Sequence, residues 1–268
     1  MNKLMNLFDF EFKRNLKHYI TIILLTCLCL FINLTLNLRT HNEGIKEALQ
    51  TKTMEEITSR GGSFNFSNLI IENTSIVIVI GFFICILYSI FIWQKEFIFK
   101  NKSINTLMMM PQGRGIVYII KLMNIVCFIY IYIILIVLTL FMGYKILPNF
   151  MIGNIENLSF VQSTMYKLSL FIPYTFTDFI IEYVFLLPSL ITVIFTCTLF
   201  YKCYTNKFSK IILQIILILS LPFIILSPLA FLLFINLINN SIIILLSSVV
   251  IICGYILSKK ILYNKLDY

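Results

Sequence analysis

Leu122–Gly143 reads LMNIVCFIYIYIILIVLTLFMG, without one Asp, Glu, Lys or Arg. Such a run is close to the roughly 20 apolar residues that a helix needs to cross about 30 Å of bilayer hydrocarbon. Five more stretches share its character: Tyr19–Leu38, Thr74–Trp93, Tyr183–Tyr201, Ile211–Ile235 and Ile242–Ser258. All are expected to be helical, because lipid offers no partner to an open backbone N–H or C=O. Over the full 268 residues, 59% hydrophobic and 12% charged residues and a mean hydropathy of +0.94 exceed what a water-soluble core can absorb. The expected fold is therefore an all-α integral membrane protein, one transmembrane domain over 1–268. Its six transmembrane helices fall at 19–38, 74–93, 116–143, 179–201, 211–235 and 242–258.

Orientation follows from the basic residues, since Lys and Arg near spans are retained on the cytoplasmic side. With the N-terminus inside, the inner segments 1–18, 94–121, 202–210 and 259–268 hold 15 of the 21 Lys and Arg and only four acids, Asp9, Glu11, Glu96 and Asp267. Both termini are thus expected in the cytoplasm. The net charge of +9 is spread over four short loops with no basic stripe, so it points to inner-leaflet lipid and not to nucleic acid. Cys27, Cys29, Cys85, Cys127, Cys197 and Cys253 fall inside spans and Cys203 at an inner edge, which predicts free thiols and no disulfide framework. The first apolar run is too long for a signal-peptide core and lacks a small-residue cleavage site, so it is expected to stay as a span.

Residues 1–18 read as an amphipathic interfacial helix. Met1, Leu4, Met5, Phe8, Phe12 and Leu16 share one side, while Lys3, Asp9, Lys13, Arg14 and Lys17 share the other. The alternative is a plain cytoplasmic start of the first span. The outer loop 39–73 has helical character from Gly44 to Ile57, ended by Gly61 and Gly62. Glu55, Glu56 and Arg60 in that loop resemble the first motif of intramembrane prenyl-protein and bacteriocin-processing proteases. That chemistry also needs metal-binding histidines in spans, and the only histidines, His18 and His41, lie outside them. Trp93, ending the second span, suits the inner interface.

Farther along, Pro148, Gly153 and Pro173 break 144–178 into short outer pieces. Asp178 and Glu182 open the fourth span four residues apart and so point the same way. They read either as an acidic lip of a translocation route for a cationic substrate or as a solvated helix start favoured by the helix dipole. Pro188 is expected to kink this span. The block Ile211–Asn240 contains Pro222 and Pro228 and is long enough for one span plus a re-entrant piece over 227–240, a candidate gate between helices five and six; a single long kinked span is the alternative. No inverted internal repeat and no mid-membrane charge pair favours a secondary transporter.

Lys95–Lys121, KEFIFKNKSINTLMMMPQGRGIVYIIK, is the patterned segment between spans, and 94–115 reads as a cytoplasmic coupling segment. Pro111 stops a short helix and Gly113 frees the turn. Thr106–Met110 is apolar on a cytoplasmic loop, which calls for a partner to cover it, and Met suits a surface that repacks. The order Glu96, Ser103, Ile104, Asn105, Leu107, the run Met108, Met109 and Met110, Pro111, Arg114 and Lys121 resembles the inner loop of type-2 ABC exporter permeases. In that family a Glu follows the second span, Gly-Thr opens a short helix ending in Leu-Leu, and Pro-x-x-Arg precedes a Lys that starts the third span. Here Lys102 and Ser103 replace the Gly-Thr, and Glu96 stands somewhat farther from Ser103. The six-span layout with a broken outer segment before the last span is similar as well.

The resemblance implies a permease subunit and not an enzyme, with Glu96, Ser103, Asn105, Leu107, Met109, Pro111, Arg114 and Lys121 meeting an ATPase. Arg114 and Lys121 would hold phosphates or a partner's acids. The chain has no GxxxxGK[ST], so two copies of a separate ATPase subunit would carry ATP and Mg. No cofactor or metal is expected in this chain itself, and a second permease chain, identical or a sister, would complete the pathway. Uncharged, aromatic-rich spans with an acidic outer lip point to an amphipathic or hydrophobic cargo such as an antimicrobial or cytolytic peptide, exported or expelled for self-protection; a lipid-linked glycan or a drug is the alternative. The bias to Asn, Ile, Lys and Phe points to a bacterial cytoplasmic membrane. The competing classes are a non-catalytic membrane sensor or scaffold and a polytopic membrane enzyme.

Overall fold

Between Met1 and Gly44 the chain contains neither Pro nor Gly, so nothing interrupts the backbone hydrogen-bond ladder once a helix has started. In the computed structural model, α1 accordingly runs unbroken over Asn2–Leu49. At 1.5 Å per residue its 48 residues measure about 70 Å, more than twice the hydrocarbon thickness. The structure describes residues 2–50, 66, 70, 72–98, 114–152, 159–160, 164, 175–203 and 240–264. Among them no strand occurs, and the long elements are α2 (Glu72–Ile98), α3 (Arg114–Ile146), α5 (Leu187–Cys203) and α6 (Asn240–Asn264). The short α4 (Phe176–Phe179) and a π-helical stretch, Ile180–Leu186, lead directly into α5.

Among the described residues five helices are long and apolar enough to cross a membrane: Met5–Leu49, Thr74–Lys95, Gly115–Phe150, Phe176–Tyr201 and Asn240–Tyr263. The protein is a multi-pass, membrane-embedded helical protein. Its helices expose stripes of large apolar side chains, such as Ile20, Leu24, Leu28, Ile32 and Leu36 on α1 and Leu245, Val249, Ile252 and Ile256 on α6. A water-soluble protein does not carry such stripes; lipid solvates them. The expected span at 211–235 and the re-entrant piece over 227–240 lie outside the described residues.

Three sequence expectations of helix bounds change. Residues 1–18 do not form a separate interfacial helix but are the first turns of α1, and the side they bury is that of Leu7, Glu11 and Asn15, while Met5 is 71% exposed. α1 also continues past Leu38 and absorbs Gly44, so residues 44–49, expected to open a separate helix, are the last turns of α1. The third helix likewise does not stop at Gly143. A Cβ there would lie 3.1 Å from Leu34 Cδ1 and 3.6 Å from Phe66 Cζ, so this glycine marks a close approach and the helix ends instead before a 3-10 turn, Leu147–Phe150, that contains Pro148.

The chain divides into two compact units. The first comprises Met1–Lys17, Phe83–Ile129 and Pro173–Tyr268. In it α5 packs on α6 through small residues: a Cβ on Gly254 would meet Thr192 Cβ at 3.5 Å and Thr196 Cγ2 at 3.6 Å. The hydroxyls of this seam are satisfied by their own helix, as when Thr192 Oγ1 donates to Pro188 O at 2.7 Å, which suits an apolar surrounding. Trp93, Tyr118 and Phe195 form an aromatic cluster with ring centroids 5.6–6.3 Å apart, Phe195 standing edge-to-face to both of the others, and Tyr255 joins it. Trp93, expected at the inner interface, is fully buried there, and its Nε1 has no hydrogen-bond partner among the described residues.

The second unit comprises His18–Phe82 and Tyr130–Ile172. Asn33, Asn37 and Thr74 form a small polar cluster, with Thr74 Oγ1 donating to Asn33 Oδ1 at 3.0 Å and Asn37 Nδ2 to the same oxygen at 3.2 Å. Asn42 clamps the turn after α3 by donating to Phe150 O at 2.9 Å and accepting from Ile152 N at 3.1 Å. Asn42→Ala is expected to lose both bonds and cost about 1–2 kcal/mol. Amide hydrogen exchange checks this: the Ile152 amide should exchange faster in the variant, with the middle of α3 unchanged.

Candidate functional site

Lys121 stands seven residues after Arg114, in the third turn of α3. Its side chain is 1% exposed, and its Nζ lies 3.4 Å from both carboxylate oxygens of Glu11, itself 1% exposed. Arg14, one turn along α1, brings Nη2 to 2.7 Å from Glu11 Oε2. On the other side Lys121 Nζ stands 5.5 Å over the Trp93 ring, a cation–π contact in a desolvated setting. The network extends further through backbone and amide groups. Asn15 Nδ2 donates to Glu11 O at 3.0 Å, and the Tyr88 hydroxyl donates to Asn15 Oδ1 at 3.1 Å. Asn124, on the next turn of α3, is buried as well.

Apolar packing accompanies the charges. Leu7, Val117 and Ile120 form a buried cluster flanked by Phe8 and Ile116. Leu7 to Glu11 and Val117 to Lys121 are each an advance of four residues, so the first turns of α1 and α3 lie side by side and run in parallel. Buried charges survive in such a place only when paired and hydrogen-bonded, since desolvation otherwise outweighs their attraction. Here one carboxylate is held by a lysine and an arginine, and the lysine is further held by an aromatic face.

No family model, no characterised protein and no solved structure matches this chain.

The site residues expected from sequence are therefore weighed on their own surroundings. Lys121 was expected to face phosphates or a partner's acids; instead it is buried, and Glu11 of the same chain is its acid. Glu96 lies in the last turn of α2 and Arg114 is the first residue of α3. Ser103, Asn105, Leu107, Met109 and Pro111 lie outside the described residues, and so do Pro222, Pro228, Glu55, Glu56 and Arg60. His18 is exposed and His41 half-buried on α1, and among the described residues no group of His, Cys, Asp or Glu could hold a metal ion. Cys27, Cys29, Cys85, Cys127, Cys197 and Cys253 are free thiols.

Asp178 sits in the first turn of α4, where its N–H donates to Thr175 Oγ1 at 3.1 Å and Thr175 Oγ1 donates to its Oδ2 at 2.7 Å. This is an N-cap with the acid at the positive end of the helix dipole. Glu182 is half-buried within the π-helical stretch. Pro188, expected to kink the span, cannot donate to the ladder and its ring crowds the carbonyl four residues back; the residues before it take i→i+5 bonding, Leu187 N–H to Glu182 O.

Sequence reasoning missed Glu11 and Asn15. Their signal is present in hindsight, because Leu7, Glu11 and Asn15 recur at helical spacing on one line of α1. An acid in line with a core leucine needs a buried cation, and Lys121 is that cation.

Proposed function

We propose that the chain is the permease subunit of an ATP-driven exporter of the type-2 ABC class, with hydrolysis carried by a separate ATPase subunit that brings ATP and Mg. The observation that carries this reading is the order Ser103, Leu107, Met109, Pro111, Arg114 and Lys121 at the entry to α3. The multi-pass helical architecture supports it, and so does the parallel packing of the heads of α1 and α3, as expected when α2 returns the chain to the side where α1 began. In this reading the chain crosses the bacterial cytoplasmic membrane six times with both termini inside, and a re-entrant piece carrying Pro222 and Pro228 precedes the last span. Two permease chains form the pathway. An amphipathic or hydrophobic peptide is the cargo, met on the outer side by Asp178 and Glu182.

The test is to purify the chain from its native membrane in lipid with whatever accompanies it, and to compare the wild type with Met109→Glu. An ATPase should accompany the wild type. Its cargo-stimulated hydrolysis should fall about tenfold in the variant, within the usual range of coupling energies between linked sites. A preparation without nucleotide-binding protein, and a variant indistinguishable from wild type, would instead favour a membrane scaffold.

A further inference from the structure

We infer that the first four turns of α1, the head of α3 and the Tyr88–Trp93 stretch of α2 move as one body, with Glu11 the positioning residue that clamps it. What drives the body rests on the exporter reading; that it is one body does not. The contacts explain why. Glu11 reaches Lys121 of α3 directly, while Asn15 reaches Tyr88 of α2, and Lys121 stands over Trp93 of α2. Three helices therefore share one buried polar network, and the Leu7, Val117 and Ile120 cluster closes its end.

Packed helices change place in two ways, by small sliding or by a jump of a full turn. Sliding would part Glu11 from Lys121 where no water reaches either group, so intermediate positions are unfavourable. A one-turn jump needs a new ionic partner in register. One turn along α3 from Lys121 stand Val117, Tyr118, Asn124 and Ile125, none of them a cation for Glu11. One turn along α1 from Glu11 stand Leu7, Phe8, Arg14 and Asn15, none of them an acid for Lys121. The pairing has a single register, so a displacement that enters α3 at Arg114 is carried to α1 whole. The N-terminal turns thus act as part of the moving bundle and not as a separate surface element.

Hydrogen–deuterium exchange on the full chain in lipid nanodiscs tests the single body without any assumption about ATP. Glu11→Gln keeps the shape and removes the charge; it should raise exchange roughly tenfold in 5–17 and in 115–121 together, leaving α6 unchanged. Loss of protection in only one of the two segments overturns the inference. A second measurement leaves the ion network intact. Leu7→Cys with Val117→Cys is oxidised, and the 7–117 bridge is identified by peptide mass mapping. In the complex with its ATPase, bridged protein should keep cargo-stimulated hydrolysis within about twofold of unbridged protein. Arrest by the bridge would mean that the two helices must part, and would overturn the inference. If no ATPase accompanies the chain, the exporter reading fails while the exchange experiment still decides the single body.

Discussion

Lys121→Met lowers the stability of the folded chain by about 3–5 kcal/mol, the usual cost of removing one partner from a buried ion pair. The loss comes from Glu11. Its carboxylate is 1% exposed and, among the described residues, would keep Arg14 alone as ionic partner, at 2.7 Å, after Lys121 is gone. Glu11→Leu strands Lys121 in the same way and should cost a similar amount. The double variant separates pairing from mere packing. With both charges replaced by apolar groups of similar volume, desolvation disappears together with attraction, and the chain should recover most of the loss. Arg14 is 22% exposed, so in the double variant its guanidinium can turn to solvent while its stem stays packed. Unfolding titrations in mixed micelles, arranged as a double-mutant cycle, give the coupling energy. A single-variant cost below about 1 kcal/mol would mean that the pair is solvated, as surface pairs are.

Gly81→Ala is the second large effect, and its sign is opposite to that of helix propensity. Alanine is favoured over glycine in a helix interior by about 1 kcal/mol. At Gly81, however, a Cβ would overlap the Tyr132 hydroxyl and lie 2.7 Å from Thr26 Cγ2. Tyr132 cannot turn aside freely, because its hydroxyl donates to Ile78 O at 3.1 Å from within the same packed region. Overpacking of this kind costs about 1–3 kcal/mol beyond any propensity gain. Tyr132→Phe removes the overlapping oxygen and should therefore recover part of the loss in the Gly81→Ala background, although alone it forfeits a buried hydrogen bond worth about 1 kcal/mol. Thermal unfolding of the two single variants and the double variant decides it. Additive losses would show that the Tyr132 hydroxyl is not what excludes the methyl group.

Membrane character was legible from the charge-free runs because the bilayer imposes a length and an apolar composition on any helix that crosses it. Helix ends were less legible. Gly44 and Gly143 look like termini in the sequence, yet α1 and α3 run through both. A single glycine weakens a helix by only about 1 kcal/mol, and tertiary packing readily outweighs that. The face of residues 1–18 was misjudged for a similar reason. Apolar periodicity picked out Met5, Phe8, Phe12 and Leu16, while the packed line is Leu7, Glu11 and Asn15. A polar residue in a core line defeats a rule that counts only hydrophobic positions. Asp178 stands in the first turn of a helix, as its place in the sequence suggests, and Thr175 supplies the cap that the sequence alone left unremarked, while Glu182 falls in the π-helical stretch beyond.

From its sequence alone this protein is helical and multi-pass, because composition and run length leave no other way to satisfy the backbone in lipid. Its connector motif, with Pro111, Arg114 and Lys121 in order, is likewise a property of the sequence and carries the proposed role. Tertiary structure alone decided where Lys121 points. A lysine seven residues after Arg114 suits a cytoplasmic surface or a core equally well until an acid is found for it. That acid, Glu11, lies 110 positions away in the chain and 3.4 Å away in space. Pairing over such a separation leaves no local pattern in the sequence, because the physical condition it satisfies, a neutralised charge out of water, is set by the partner helix.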